Sequence, residues 1–254
     1  MFKPPLVADN PSRIRDRGLA MYGQLPANLS SGGSSGSPAL TLRGLLLDGN
    51  TAANWRAGVG QTDDGGGLCS NWANQLGAMP ALTATTTARP TIQADGSLLF
   101  DGTANRMLTG ATTLNQPETI YFVGRQVTWT DTEGIFDGVS LATGELIQTT
   151  TTPRVDITAG LAVAANTGLI VNTYTVVTAI FNGASSSLQM NTAAATTGNA
   201  GAANMGGFVL GANGASLLFS NIQVKEVIIR RVSDSAALQL QIQRLLGQVY
   251  GIVV

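Results

Sequence analysis

Side chains able to carry acid–base, nucleophilic or metal chemistry are few in this 254-residue chain. It has no histidine, one cysteine, and four glutamates: Glu118, Glu133, Glu145 and Glu226. Without histidine, a Ser-His-Asp triad and a His-based zinc site are excluded. Cys69 has no imidazole to activate it and reads as a buried structural thiol. Standing alone, it also rules out an intramolecular disulfide and a bridge-held secreted scaffold. Oxygen ligands for Ca2+ are offered by Asp131, Glu133 and Asp137, and by Asp63 and Asp64 beside Gly65, Gly66 and Gly67. Calcium takes about six to eight oxygens, and neither segment has a recognisable ligand spacing. Both read as solvated loop carboxylates, with calcium the one metal left open. Glu226 reads as a structural residue of the last strand, bonded to backbone or arginine. The exposed aromatic candidates for stacking on a sugar are Trp55, Trp129 and Tyr22. Trp55, Trp72 and Trp129 read first as core or loop-packing residues. No catalytic, cofactor-binding or metal site is assigned.

The elements that would position such groups are short strands. Apolar residues make up 44% of the chain and charged residues only 11%, against about 25% charged in an average domain. The polar surface must therefore come from Thr, Ser, Asn, Gln and backbone. A net charge of −1 supplies no basic face for nucleic acid, and no Lys/Arg cluster marks a membrane surface. No apolar run approaches the ~20 residues of a membrane helix. The segment Ser97–Gly110 sets the idiom: apolar strand, Asp101-Gly102 turn, short loop, second strand. Similar turns recur at Asp95-Gly96, Asp137-Gly138, Asn182-Gly183 and Asn213-Gly214, where Asx-Gly tolerates the positive φ of tight hairpins. Strands are predicted over 68–73, 119–125, 134–138, 145–148, 154–158, 171–181, 208–211 and 222–232. Strand periodicity begins at Leu40, with Leu42, Leu45 and Leu47 leading to Asp48-Gly49. Asn191–Asn204, nearly all Thr, Ala, Gly and Asn, reads as a long surface loop. Many short strands with such turns make the chain all-β, a sandwich or barrel.

Both ends differ from this pattern. Residues 1–37 are broken by Pro4, Pro5, Pro11 and Pro26, carry the basic cluster Arg13, Arg15 and Arg17, and close on a Ser/Gly linker composition. They are expected to be an extended anchoring arm laid on a partner protein, preceding a domain over 38–254. The N-terminus lacks the apolar region of a signal peptide, so synthesis in a cytoplasm is expected. The chain closes on a helix over about 234–250. Ser233 is its expected N-cap, Asp234 lies near the positive end of the dipole, and Gly251 suits the stop. Leu238, Ile242, Leu245 and Val249 form its apolar stripe.

Over Leu40–Ile252 the order of motifs resembles the concanavalin A-like lectin/glucanase superfamily, the laminin-G-type jelly roll. The carriers are Leu45-Leu-Leu-Asp48, Ser70-Asn-Trp-Ala-Asn-Gln-Leu-Gly77, Arg89-Pro-Thr91 and Phe100-Asp-Gly-Thr-Ala-Asn-Arg-Met107. They continue with Tyr174–Gly183, Gly207-Phe-Val-Leu-Gly211, Val224-Lys-Glu-Val-Ile-Ile229, Val232-Ser-Asp234 and Tyr250-Gly251. Ala236 departs from the pattern, standing where a helix-capping Glu is usual. The resemblance implies a jelly-roll sandwich of two antiparallel sheets. Glucanase relatives carry E-x-D-x-E or E-x-D-x-x-E on one strand, a spacing none of the four glutamates has, so no enzyme is expected. The resemblance extends to sugar-binding modules and to structural parts of bacteriophage virions. The leading expectation is a non-enzymatic tailed-phage virion protein, a capsid decoration or head-fibre-like component in a multi-copy or homo-oligomeric assembly. Its residues 1–37 would bind another virion protein, and host-surface glycan is a further partner. The alternative is a carbohydrate-binding module of a phage tail or bacterial surface.

Overall fold

The computed structural model describes residues 36–149, 153–166 and 169–254. The expectations for Tyr22, the arginine cluster and the linker up to residue 35 lie outside them. Helix α1 (Pro38–Leu45) comes first, followed by β1 (Thr51–Arg56), β2 (Gln61–Asp63), β3 (Cys69–Trp72) and β4 (Leu82–Thr83). Next are β5 (Thr91–Ile92), β6 (Leu98–Leu99), β7 (Met107–Leu108), β8 (Glu118–Gln126), β9 (Gly134–Asp137) and β10 (Thr143–Gln148). The rest are β11 (Val155–Ala159), β12 (Ala162–Asn166), β13 (Thr175–Phe181), β14 (Ser186–Met190), β15 (Thr196–Gly198), β16 (Val209–Leu210), β17 (Ile222–Arg230) and α2 (Ala236–Tyr250).

These strands form two antiparallel sheets. One has eight strands, ordered β15-β14-β13-β8-β17-β6-β5 with β1 also paired to β17. The other has nine, ordered β12-β11-β10-β9-β16-β7-β4-β3-β2. Period-two alternation turns Ile120 and Phe122 of β8 and Phe136 of β9 inward. Trp55 stacks on Phe208 at 5.8 Å, and Phe136 lies 5.4 Å from Phe208 and 6.2 Å from Phe122. Trp55 and Trp72 are fully enclosed, and Trp129 packs on the edge of this core. The outer face of the eight-stranded sheet is apolar too, and the helices cover it. Tyr121, Val123, Val176 and Ile228 pack there with Leu42, Ile242 and Leu246.

Four expectations are corrected. Leu40–Leu45 is helix, not strand, and Leu46 caps it. Pro38 takes the first helical turn, where its missing N–H costs nothing. Leu42 and Leu46, four residues apart, then share the face buried with α2. The N-cap of α2 is Ser235, whose hydroxyl accepts the Leu238 amide, rather than Ser233. The helix correspondingly starts at Ala236, and its buried face centres on Ile242 and Leu246. Asp234 is withdrawn from the helix by a buried ion pair with Arg230, at 2.7 Å. Asn191–Asn204 is not wholly loop, since Thr196–Gly198 pairs with β14 and Ala200 is buried. Gly201 has no room for a side chain, because a Cβ there would meet the Ala159 carbonyl. Gly251 at φ +66° ends α2 as expected, and the Ile252 amide returns to the Gly247 carbonyl at 2.8 Å.

Arg230 joins the helical layer to the sheet. Its guanidinium donates to Asp234, Asp48 and Thr51, and Tyr121 Oη donates to Asp234 at 2.8 Å. The hydrogen bond from Arg230 holds the Asp48 carboxyl down at about 2.

Candidate functional site

Strand β17 begins in regular alternation, with Ile222 and Val224 inward and Gln223 outward. One extra residue then enters. Val224 pairs with Gly124 and Glu226 with the next residue, Val123, so Lys225 has no counterpart on β8, while on the other side its carbonyl accepts the Ala57 amide at 2.7 Å. This β-bulge re-aims a side chain, and alternation then resumes with Val227 and Ile229 inward. Lys225 thus emerges on the outer face of the eight-stranded sheet, beside the C-terminal end of α2. Its ammonium lies 4.3 Å from the Tyr174 ring centre and 5.7 Å from that of Tyr250.

Around Tyr174 the polar groups close a circuit. Arg125, opposite Gln223 in the β8–β17 register, donates from Nε (3.0 Å) and Nη2 (2.7 Å) to Gln223 Oε1. Gln223 Nε2 donates to Ser97 Oγ, and Ser97 Oγ to Asp95 Oδ1. Asp95 Oδ2 pairs with Lys225 at 3.3 Å. The Arg125 guanidinium carbon sits 5.2 Å from the Tyr174 ring centre, so both cations contact one half-buried aromatic ring. Burial opposes ionisation of Asp95, but the Ser97 and Lys225 hydrogen bonds prevail and hold its carboxyl below the usual value. Burial raises Tyr174. Ser97 lies beside its hydroxyl without completing a well-formed hydrogen bond.

The carboxylates are arranged differently. Glu226 is almost fully buried, accepting from Asn54 Nδ2 at 2.6 Å and Tyr250 Oη at 2.7 Å. Its partners are thus side chains of β1 and α2, rather than the backbone or arginine expected. Burial raises its carboxyl above the ordinary range despite both bonds. On the nine-stranded sheet, the pairing of Leu146 with Phe136 sets Glu145 opposite Asp137. Both point away from the core. Asp137 accepts the amides of Gly138, Ala142, Thr143 and Gly214, which ties loop 138–143 and the 212–218 strap to one side chain. Burial lifts Asp137. Burial, and then the nearby Asp137 charge, lift Glu145 to about 7. Two carboxylates about 5–5.5 Å apart suit retaining glycoside hydrolysis when they flank the bond, but this pair is buried, at 0% and 3% exposure.

The other candidates separate. Asp131 lies in an exposed loop, and Glu133 accepts Gln148 Nε2 at 3.3 Å. Four residues of extended chain hold Glu133 and Asp137 roughly 13 Å apart, so the two do not share one ion. Asp63 accepts the Gly65 and Gly67 amides, and Asp64 accepts Gly66 and pairs with Arg89. Both are exposed loop carboxylates, as expected, and they also form the framework of the glycine loop. Among the described residues, no group of three His, Cys, Asp or Glu can hold a metal ion. Trp55 is enclosed in the core and offers no platform. Cys69 is enclosed as well, and burial pushes its thiol up to about 11. The residues overlooked in the sequence are Tyr174, Arg125, Lys225 and Gln223. Their one visible sign is the Lys225-Glu226 pair, where the alternation of β17 changes phase.

No family model matches the chain, and no curated protein matches it in sequence. Solved structures do. A GH54 α-L-arabinofuranosidase superposes with TM-score 0.58 at 11% identity, over 70% of this chain and 50% of that one. The Trypanosoma rangeli sialidase gives 0.56 at 12% identity, over 79% and 33%. The receptor-binding domain of botulinum neurotoxin type G gives 0.55 at 8%, over 78% and 51%. The fold is a lectin-like β-sandwich. It is compatible with a concanavalin A-like jelly roll, and the chain spans about half or less of each of these proteins.

Proposed function

We propose that this chain is a non-enzymatic glycan-recognition module. The observation that carries the reading is the contrast between its polar centres. The Tyr174 circuit lies at the surface with its side chains preset, as small-ligand sites require. The paired acids Asp137 and Glu145 are closed off and bound to their own loops. Folds shared with two glycosidases and a receptor-binding domain support a saccharide as the ligand class. A glycan array with the full chain tests this, together with a reducing-sugar assay on the same polysaccharides. Saturable binding without release of reducing ends is the expected result; release of reducing ends would make the chain a hydrolase.

For its setting we propose the surface of a tailed-phage particle, with residues 1–37 as the anchor. The supporting observation is the proline-broken, Gly/Ser-ended composition of that segment beside a histidine-free chain. Deleting residues 1–37 should abolish binding to the particle while leaving the circular-dichroism spectrum of the sandwich intact. Particle binding that survives the deletion would refute the anchor.

A further inference from the structure

The Tyr174 circuit has a charge imbalance that its own groups leave unresolved. It contains two cations and one exposed carboxylate, and Lys225 takes that carboxylate, Asp95. Arg125 is held by the neutral Gln223 carbonyl, and among the described residues it makes no ion pair. Its Nη1 reaches only the Asn172 carbonyl, at 3.5 Å, the outer limit for a hydrogen bond. A third cation, Arg56, stands opposite Glu226 on β1. Glu226 is buried and tied to Asn54 and Tyr250, so it does not neutralise the surface.

A guanidinium is costly to leave part-buried without a partner, and its planar fork matches a carboxylate in two parallel hydrogen bonds. Arg125 is already oriented by Gln223 from one side and by the Tyr174 ring from another. Ordering it on binding therefore costs little side-chain entropy. We propose that Arg125, braced by Gln223 and Tyr174, is the anion subsite of the glycan site and takes the carboxylate of an acidic sugar, with Lys225 as the neighbouring cation. This rests on the glycan-recognition reading above. It goes further by naming the ligand as a negatively charged saccharide and Arg125 as the residue that selects it.

The test is calorimetric titration of the full chain with hyaluronate, polygalacturonate and polysialate oligosaccharides. Each is compared with its carboxyl-reduced, neutral counterpart, and sodium sulfate serves as a free-anion arm. At least one acidic oligosaccharide should bind, and carboxyl reduction should weaken it tenfold or more. Arg125→Gln should cause a similar loss, and Arg125→Lys, which keeps the charge without the fork, an intermediate one. Thermal unfolding of each variant separates lost binding from lost fold; if Arg125→Gln does not fold, Arg125→Lys decides. Neutral and acidic forms binding within twofold of each other, or Arg125 variants binding like the parent, would overturn the anion subsite and leave the glycan reading standing. Sulfate binding as tight as the oligosaccharide would overturn the saccharide assignment. Binding to no glycan, acidic or neutral, would overturn both.

Discussion

Glu118 is the sharpest test of how this sandwich handles charge. It opens β8 on the inward side, in phase with Ile120 and Phe122, and is fully enclosed. Among the described residues, neither carboxyl oxygen has a hydrogen-bond partner. Burial alone lifts it from the ordinary 4.5 to about 8. The folded protein therefore keeps the proton across a range in which the unfolded chain has released it. Stability falls with rising pH wherever the folded state binds more protons than the unfolded one. Glu118 thus adds no penalty below about pH 4.5, and its penalty grows to full size by about pH 8, where it amounts to roughly 5 kcal/mol. Glu118→Gln removes the titration while keeping the shape. Guanidinium unfolding followed by tryptophan fluorescence at about pH 5, 7 and 8.5 should show the variant gaining steadily on the parent, by several kcal/mol at the top of the range. Glu145, raised in the same direction to about 7, is present in both proteins, so its titration cancels in the difference between them. Parallel stability curves for the two proteins would refute the reasoning.

Asp137→Ala strands four amide donors at once. At about 1–3 kcal/mol for each buried group left unpaired, a loss of at least ~3 kcal/mol is expected in chemical denaturation, with earlier proteolysis of the 138–143 and 212–218 loops. Arg230→Ala leaves Asp234 buried without its cation, and should cost about 3–5 kcal/mol. Arg230→Met should recover part of that loss in the same unfolding assay. Trp55→Ala should cost about 3–5 kcal/mol yet leave glycan affinity unchanged, because the ring stacks on Phe208 inside the core. Cys69, enclosed and with its thiol raised to about 11, should resist Ellman's reagent until the protein unfolds.

Strands long enough to show their period, such as Thr119–Arg125 and Ile222–Val232, were legible from composition and turn residues, as were the roles of Trp55, Trp72 and Gly251. Leu40–Leu47 was not, because a leucine-rich stretch satisfies a period of 2 and of 3.6 alike. Burial of Leu42 and Leu46 against α2 selects the helix. Asp234 was misplaced for a related reason. A carboxylate at a helix start suits the dipole, but Arg230 four residues earlier is fully buried and attracts it more strongly. The candidate site was the least readable part. Its members come from positions 95, 97, 125, 174, 223 and 225, which only sheet pairing and one irregular residue bring together.

Lys225 can be read as a graft. Strike it from β17, and Ile222-Gln223-Val224-Glu226-Val227-Ile228-Ile229-Arg230 alternates without interruption, every remaining side chain keeping the face it already has. Insertion or loss of this single codon would therefore add or remove a surface cation while every other β17 side chain keeps its face, the local cost being the Ala57 amide, which donates to the Lys225 carbonyl at 2.7 Å. In related chains, a one-residue length difference at this position would mark the gain or loss of a surface cation rather than a change of architecture.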